Sequence, residues 1–60
     1  MSIHPVVQEF IDFKETQTLK LVNREIQFKK FLHLVEETKQ EAIKESGLSN
    51  KEFLKQMLNG

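Results

Sequence analysis

Apolar residues in the first part of the chain recur three or four positions apart, the spacing that places side chains on one face of an α-helix. Val6, Phe10 and Phe13 follow this spacing. Pro5 suits the first turn of such a helix, because its missing amide hydrogen would be unpaired there anyway. The pattern predicts a first helix over about residues 5–15.

A weak interruption follows this segment. Thr16 and Thr18 are β-branched hydroxyl residues of low helix propensity, and either could cap a new helix. Between Pro5 and Gly47, however, the chain contains neither glycine nor proline, so one helix could also run through. We therefore expect a long first arm that is either continuous or broken near residue 16.

After the threonines the apolar residues follow a seven-residue repeat, which indicates a seam along a helix. The repeat comprises Leu21, Phe28, Val35 and Ala42, with Phe31 and Leu32 between them. A second stripe on another face comprises Leu19, Val22 and Ile26. This is more apolar surface than one neighbouring helix can cover. The pattern predicts a helix over about residues 19–46, packed against two neighbours or between two layers.

A helix stop and a helix start then follow each other within four positions. Gly47 suits the left-handed position just past a helix end, and Ile43 and Leu48 are placed for the apolar contact that accompanies it. Ser49 can accept a hydrogen bond from the amide of Glu52, whose carboxylate can reach back to the Ser49 amide. These residues predict a sharp turn between two helices.

The last helix is expected over about residues 50–58. Its apolar side comprises Phe53, Leu54, Met57 and Leu58. Because a helix of under three turns does not persist alone in water, it must fold back onto the first arm or onto a partner. The predicted fold class is therefore all-α: a helical hairpin with a long first arm and a short C-terminal helix, in a single small domain over residues 1–60.

Sixty residues make a small core, since a chain of this length buries only about 60% of its unfolded surface. The chain has no cysteine for a disulfide, and His4 and His33 are too far apart to suggest a metal site. The remaining stabiliser is a second chain, so we predict a homodimeric helical bundle. Its expected interface comprises Phe10, Phe13, Leu21, Phe28, Phe31, Leu32, Val35, Phe53 and Met57.

Nine Lys and Arg balance nine Asp and Glu, which gives no reason to expect strong attraction to nucleic acid or anionic lipid. The charges are zoned, because residues 14–30 carry five cations against two glutamates and residues 36–52 carry five glutamates against three lysines. An antiparallel partner could match these zones. No apolar run approaches the roughly twenty residues of a membrane span, and no signal peptide is recognisable, so a cytoplasmic location is expected.

The basic zone allows an alternative function, that of a small DNA-associated transcriptional regulator. Its cations are Lys20, Arg24, Lys29 and Lys30. They precede a glycine-centred turn that superficially resembles a DNA-reading helix-turn-helix. The pattern fails in detail, because bulky Ile43 stands where a small residue normally packs and Ser46 where an apolar one belongs. Nucleic-acid binding is therefore the disfavoured alternative.

Few residues could support catalysis. Ser46 and Ser49 have no histidine near them in the sequence, and the adjacent Glu36 and Glu37 point about 100° apart around a helix rather than facing each other. His33 and Glu37, four residues apart, supply only two possible metal ligands. We expect no enzymatic activity, no cofactor, no metal and no small-molecule substrate.

The segment around the turn also resembles a known interaction element. Ser46, Gly47, Leu48 and Ser49, followed by Lys51, Phe53 and Met57, are similar to the helix-turn-helix hook by which Sin-type bacterial regulators and their small antagonists pair. The resemblance implies a dimerising or hetero-dimerising bacterial regulator in which Leu48, Phe53 and Met57 interlock with a partner hook. It covers about residues 46–57 and departs at Gln56, where a large apolar residue is expected.

The expected function follows from these observations. The chain is predicted to be a small cytoplasmic regulatory or adaptor protein that forms a homodimer. It would act by binding another protein through apolar surface left on that dimer, without contact with a membrane.

Overall fold

The computed structural model describes residues 3–59. In this part of the chain there are three α-helices and no β-strand, so the predicted all-α class is confirmed. Helix α1 spans Pro5–Val22, α2 spans Phe28–Ser46 and α3 spans Asn50–Asn59. The first two helices differ from their predicted bounds.

Of the two alternatives, the break near Thr16 does not occur, because α1 continues through both threonines. The Thr16 hydroxyl donates to the carbonyl of Asp12 at 3.1 Å, and the Thr18 hydroxyl donates to that of Lys14 at 2.8 Å. These bonds to the preceding turn keep the hydroxyl groups within the helix and prevent them from capping a new one. As a result, α1 extends about two turns beyond its predicted end.

The helix predicted over residues 19–46 is also wrong, because the chain reverses between α1 and α2. Arg24 has a left-handed backbone with φ 61°. Its amide donates to the carbonyl of Leu21 at 3.1 Å, and the next amide, of Glu25, donates to that of Lys20 at 2.8 Å. A glycine usually takes this position, since a Cβ disfavours it. The turn therefore contains neither glycine nor proline, the residues that mark turns most strongly in a sequence.

Helices α1 and α2 lie side by side and run in opposite directions. Residues 6–13 of α1 share a groove with residues 38–45 of α2. Residues 17–20 share a second groove with residues 30–34. The main packing of the fold thus joins two segments that were predicted to form one arm.

Helix α3 packs on α1 rather than along α2. The ring centroid of Phe53 lies 5.7 Å from that of Phe10. The His4 amide donates to the Gln56 side chain at 3.0 Å, so α3 runs antiparallel to α1. With ten residues, α3 is about 15 Å long and reaches only the half of α1 near its N terminus.

The core lies where the three helices meet, and it is small. Its buried apolar residues are Val7, Phe10, Ala42 and Phe53. Partly buried side chains surround them, among them Ile3, Val6, Ile11, Phe13, Val35, Ile43, Leu48 and Met57. Among the apolar residues of α2, only Ala42 is buried. Of the other residues of the seven-residue seam, Val35 packs against the core, whereas Phe28 is largely exposed.

The turn between α2 and α3 forms at Gly47 and Ser49 as its sequence predicts, but the predicted return bond from the Ser49 amide to the Glu52 carboxylate does not form. Gly47 has a left-handed φ of 74°, and its amide donates to the carbonyl of Ile43 at 3.2 Å. The Ser49 hydroxyl accepts from the amide of Glu52 at 3.2 Å. Glu52 thus contributes its amide to the cap. Leu48 is partly buried against the core, as expected for the residue that joins the two helices.

Replacing Gly47 with alanine is expected to lower the free energy of unfolding by about 1 kcal/mol, because an L-residue is strained at this φ. A Cβ at this position would meet nothing within 4 Å, so no clash adds to the strain. Urea denaturation measures the change. Gly47→Asn is the matched control and should lose less, because asparagine tolerates the left-handed region. A more stable alanine variant would mean that α2 continues through the turn.

Candidate interaction surfaces

The structure divides the predicted interface residues into three groups. Phe10 and Phe53, predicted to lie at the dimer interface, are buried in the chain's own core. They meet each other because α3 folds onto α1, a packing that the periodicity of either helix alone does not specify. Phe13, Val35 and Met57 lie at the rim of the core and are partly buried.

The remaining predicted interface residues, Leu21, Phe28, Phe31 and Leu32, lie at the end of the molecule that holds the α1–α2 turn. Here the chain leaves large apolar side chains in contact with solvent. The exposed fractions are 63% for Leu19, 72% for Val22, 60% for Phe28 and 49% for Leu32. We call these four residues the apolar end patch. It remains uncovered because α3 reaches only the opposite half of α1.

A second surface follows the seam between α1 and α2. Two grooves of about 240 and 620 Å³ adjoin there, and Phe13 lines both. Val6 contributes to the first, and Gln17 and Leu34 contribute to the second. Because α3 provides no residue to either lining, this side of the α1–α2 pair is open. We call it the groove face.

The charges on the groove face are separated by end. The first groove is lined by Glu9, Glu41 and Glu45, and the second by Lys20 and Lys30 together with Glu25 of the turn. Three carboxylates give the first end a charge of −3, and two ammonium groups with one carboxylate give the other end +1. The face therefore has an acidic end and a basic end with an apolar floor between them.

The four cations of the predicted basic zone do not form one surface. Lys20 and Lys30 line the second groove, whereas Arg24 lies in the turn and Lys29 lines neither groove. Lys29 and Lys30 are neighbours on α2, so their side chains point about 100° apart. Glu25 adds a negative charge beside the two groove lysines.

The carboxylates considered for acid–base chemistry form pairs along α2. Glu36 accepts a hydrogen bond from Gln40 and lies 3.3 Å from the Lys39 ammonium; these two contacts, in that order, lower the pKa of Glu36. Glu37 lies 3.1 Å from the His33 imidazole, with both side chains largely exposed. Such pairs, one helical turn apart, are typical of a solvated helix surface. Within residues 3–59, no three potential metal ligands come together.

The two serines of the turn are occupied by backbone hydrogen bonds. The Ser46 hydroxyl donates to the carbonyl of Ile43 at 2.8 Å and accepts from the amide of Leu48 at 3.1 Å. The Ser49 hydroxyl caps α3 through the amide of Glu52. Each hydroxyl stabilises a helix end.

The residues of the Sin-like resemblance pack within the chain. Phe53 is completely buried against α1, and Leu48 and Met57 are partly buried around it. In this fold α3 therefore does not offer the Phe53 side chain to a partner hook. Their packing on α1 requires the reversal at Arg24, which the resemblance did not include.

No helix within residues 3–59 has both the length and the apolar character needed to cross a membrane. Comparison of the chain with protein-family models, with curated proteins and with solved structures finds no match.

Proposed function

We propose that this protein is a non-enzymatic protein–protein interaction module of the regulatory or adaptor kind. It self-associates as a homodimer and binds another protein through the apolar end patch. The partner segment that fits this patch is an amphipathic helix, because such a helix can lay an apolar stripe on the side chains of α1 and α2.

The carrying observation is the amount of apolar surface that the fold leaves exposed. The total surface of the chain, polar and apolar together, is 4805 Å², more than the roughly 4,100 Å² expected for a folded monomer of 7.1 kDa. Four of its large exposed apolar residues belong to the apolar end patch. Clustered exposed apolar residues mark protein contact sites more often than single ones do. The small core also supports association with another chain, since a chain with little interior gains stability by association.

Two substitutions within the patch test this proposal. The variant Val22→Gln/Leu32→Gln removes the apolar contact. Glutamine is a good helix former of similar side-chain volume, so the helices are kept. We expect binding of a partner protein to weaken at least about tenfold, the equivalent of 1.4 kcal/mol. The melting temperature is expected to change little, because both side chains are exposed.

The matched control is Leu58→Gln, an exposed apolar residue on α3 outside the patch. Tagged wild type, patch variant and control are compared in pull-downs from the native host, and each protein retained is then purified and titrated calorimetrically. A partner retained by wild type and control but released by the patch variant supports the proposal. Equal affinity of all three forms would place the binding site elsewhere.

The alternative function, a DNA-associated regulator using Lys20, Arg24, Lys29 and Lys30, makes a different prediction. It requires a mobility shift of duplex DNA that weakens steeply as salt is raised, because each phosphate contact releases counterions. The patch variant keeps all four cations, so it is expected to bind DNA as wild type does if the alternative is right. A loss of protein binding with no loss of DNA binding therefore distinguishes the two functions.

A further inference from the structure

Two charge pairs on the groove face have the same spacing. On α1, Glu9 and Lys20 are eleven residues apart, and on α2, Lys30 and Glu41 are also eleven residues apart. Eleven residues are slightly more than three full helical turns, so both members of a pair lie on the same side of their helix, about 16 Å apart. All four residues line the grooves, and all four are exposed.

The two pairs also lie at the same height along the molecule. Glu9 and Glu41 line the first groove from opposite helices, and Lys20 and Lys30 line the second in the same way. The midpoint of the pair on α1 therefore lies beside the midpoint of the pair on α2. Phe13, which lines both grooves, lies within two residues of the midpoint on α1.

This symmetry has a geometric consequence. We propose that the groove face binds a second copy of this chain about a twofold axis that lies in the interface, perpendicular to the helices, at the level of Phe13. Each α1 then faces the other α1 in the antiparallel sense. Glu9 lies opposite Lys20 of the partner subunit, and Lys30 lies opposite Glu41 of the partner subunit. One rotation matches all four pairs because the two spacings and the two midpoints agree.

The charges select this arrangement over the other twofold packing of the same faces. An axis parallel to the helices would place Glu9 opposite the partner subunit's Glu41 and Lys20 opposite the partner subunit's Lys30. Like charges at contact disfavour that complex. Exposed ion pairs add little affinity individually, but they determine which orientation forms. Glu45 adds to the acidic end, and Glu25 weakens the basic end without reversing its sign.

The size of the face is sufficient for a specific contact. Helix α1 is about 27 Å long, and two helices side by side are about 20 Å wide, which gives roughly 540 Å² per copy and 1,100 Å² in total. Specific interfaces begin near 1,000 Å². The floor offers Val6, Phe13 and Leu34 to the contact, while α3 stays on the outside. This inference rests on the homodimer part of the proposed function and assigns that dimer to one face.

Charge reversal in two complementary variants tests the assignment. Lys20→Glu/Lys30→Glu makes both ends acidic, and Glu9→Lys/Glu41→Lys makes both ends basic. Each variant alone is expected to dimerise at least about tenfold more weakly than wild type, because its ends repel. An equimolar mixture is expected to regain dimer, since every pair then joins opposite charges. Sedimentation at concentrations from micromolar to millimolar distinguishes a species of 7.1 kDa from one of twice that mass.

The matched control is Lys29→Glu/Lys44→Glu, which changes the net charge as much as the acidic variant but at exposed positions outside the groove lining. It is expected to dimerise as wild type does. If wild type is a dimer but the mixture does not reassemble, or if the control is equally weakened, this face is not the interface and the dimer uses another. If wild type is monomeric at millimolar concentration, the homodimer itself is refuted, whereas partner binding by the apolar end patch is judged separately by the patch variant.

Discussion

Replacing Phe53 with alanine is expected to lower the free energy of unfolding by about 3–5 kcal/mol, the range for removing a buried aromatic side chain. Phe53 is completely buried and is one of four apolar residues in the core. Its ring lies 5.7 Å from that of Phe10, and this pair joins α3 to α1. Because a small domain has only about 5–15 kcal/mol of stability, such a loss would leave a large fraction of the chain unfolded.

Urea denaturation followed by circular dichroism measures this effect. Leu54→Ala provides the control one position further along the same helix, since Leu54 is 45% exposed and its truncation removes far less contact. We expect a small change for the control. A Phe53 variant that is as stable as the Leu54 variant would contradict the packing of α3 on α1.

Diluting the wild-type protein a thousandfold is expected to lower its melting temperature by roughly 10–15 °C. If folding and dimerisation are coupled, this dilution removes about 4.1 kcal/mol per dimer, or about 2 kcal/mol per chain. For a domain of about sixty residues, each kcal/mol corresponds to up to about 8 °C. Calorimetry at high concentration and circular-dichroism melting at low concentration cover the range.

The acidic variant Lys20→Glu/Lys30→Glu serves as the control for this dilution series. With association weakened, its melting temperature is expected to depend less on concentration. At high concentration the acidic variant is expected to melt at a lower temperature than the wild type. The melting temperatures of the two proteins are expected to converge on dilution. A wild-type melting temperature that stays constant over the whole range would show that the folded state is a monomer.

Local signals in the sequence were sufficient for the turn between α2 and α3. Gly47 adopts the left-handed backbone expected of it, and the Ser49 hydroxyl caps the next helix. Both effects involve atoms within about four residues of each other, so the sequence contains all that is needed to predict them. The all-α class follows in the same way from helical spacing of the apolar residues and the absence of interior glycine and proline.

The first reversal of the chain could not be predicted from such signals. Arg24 takes a conformation that arginine disfavours, and packing of α1 against α2 provides the compensating contacts. Thr16 carried the stronger local signal for a break, yet its hydroxyl bonds within the helix. A tertiary contact thus overrode propensities that differ by less than about 1 kcal/mol.

The candidate surfaces, too, were only partly predictable from the sequence. The charges that line the groove face are visible in the sequence, and the equal spacing of Glu9 to Lys20 and Lys30 to Glu41 can be counted there. Only the antiparallel packing of α1 and α2 places the two pairs at one level and on one side. Likewise, apolar periodicity identified Phe10 and Phe53 as residues that must be covered, but the fold decided that they cover each other.

By itself, the sequence determined the helical class, the final turn with its caps, and the need to bury more apolar surface than one helix pair can hide. These properties depend on residues close together along the chain. The tertiary structure decided where the first arm reverses, which helix receives α3, and which apolar residues remain exposed. These properties depend on contacts between segments that are distant along the chain. The alternative contacts have similar energies, so which of them form is decided only when the whole chain folds.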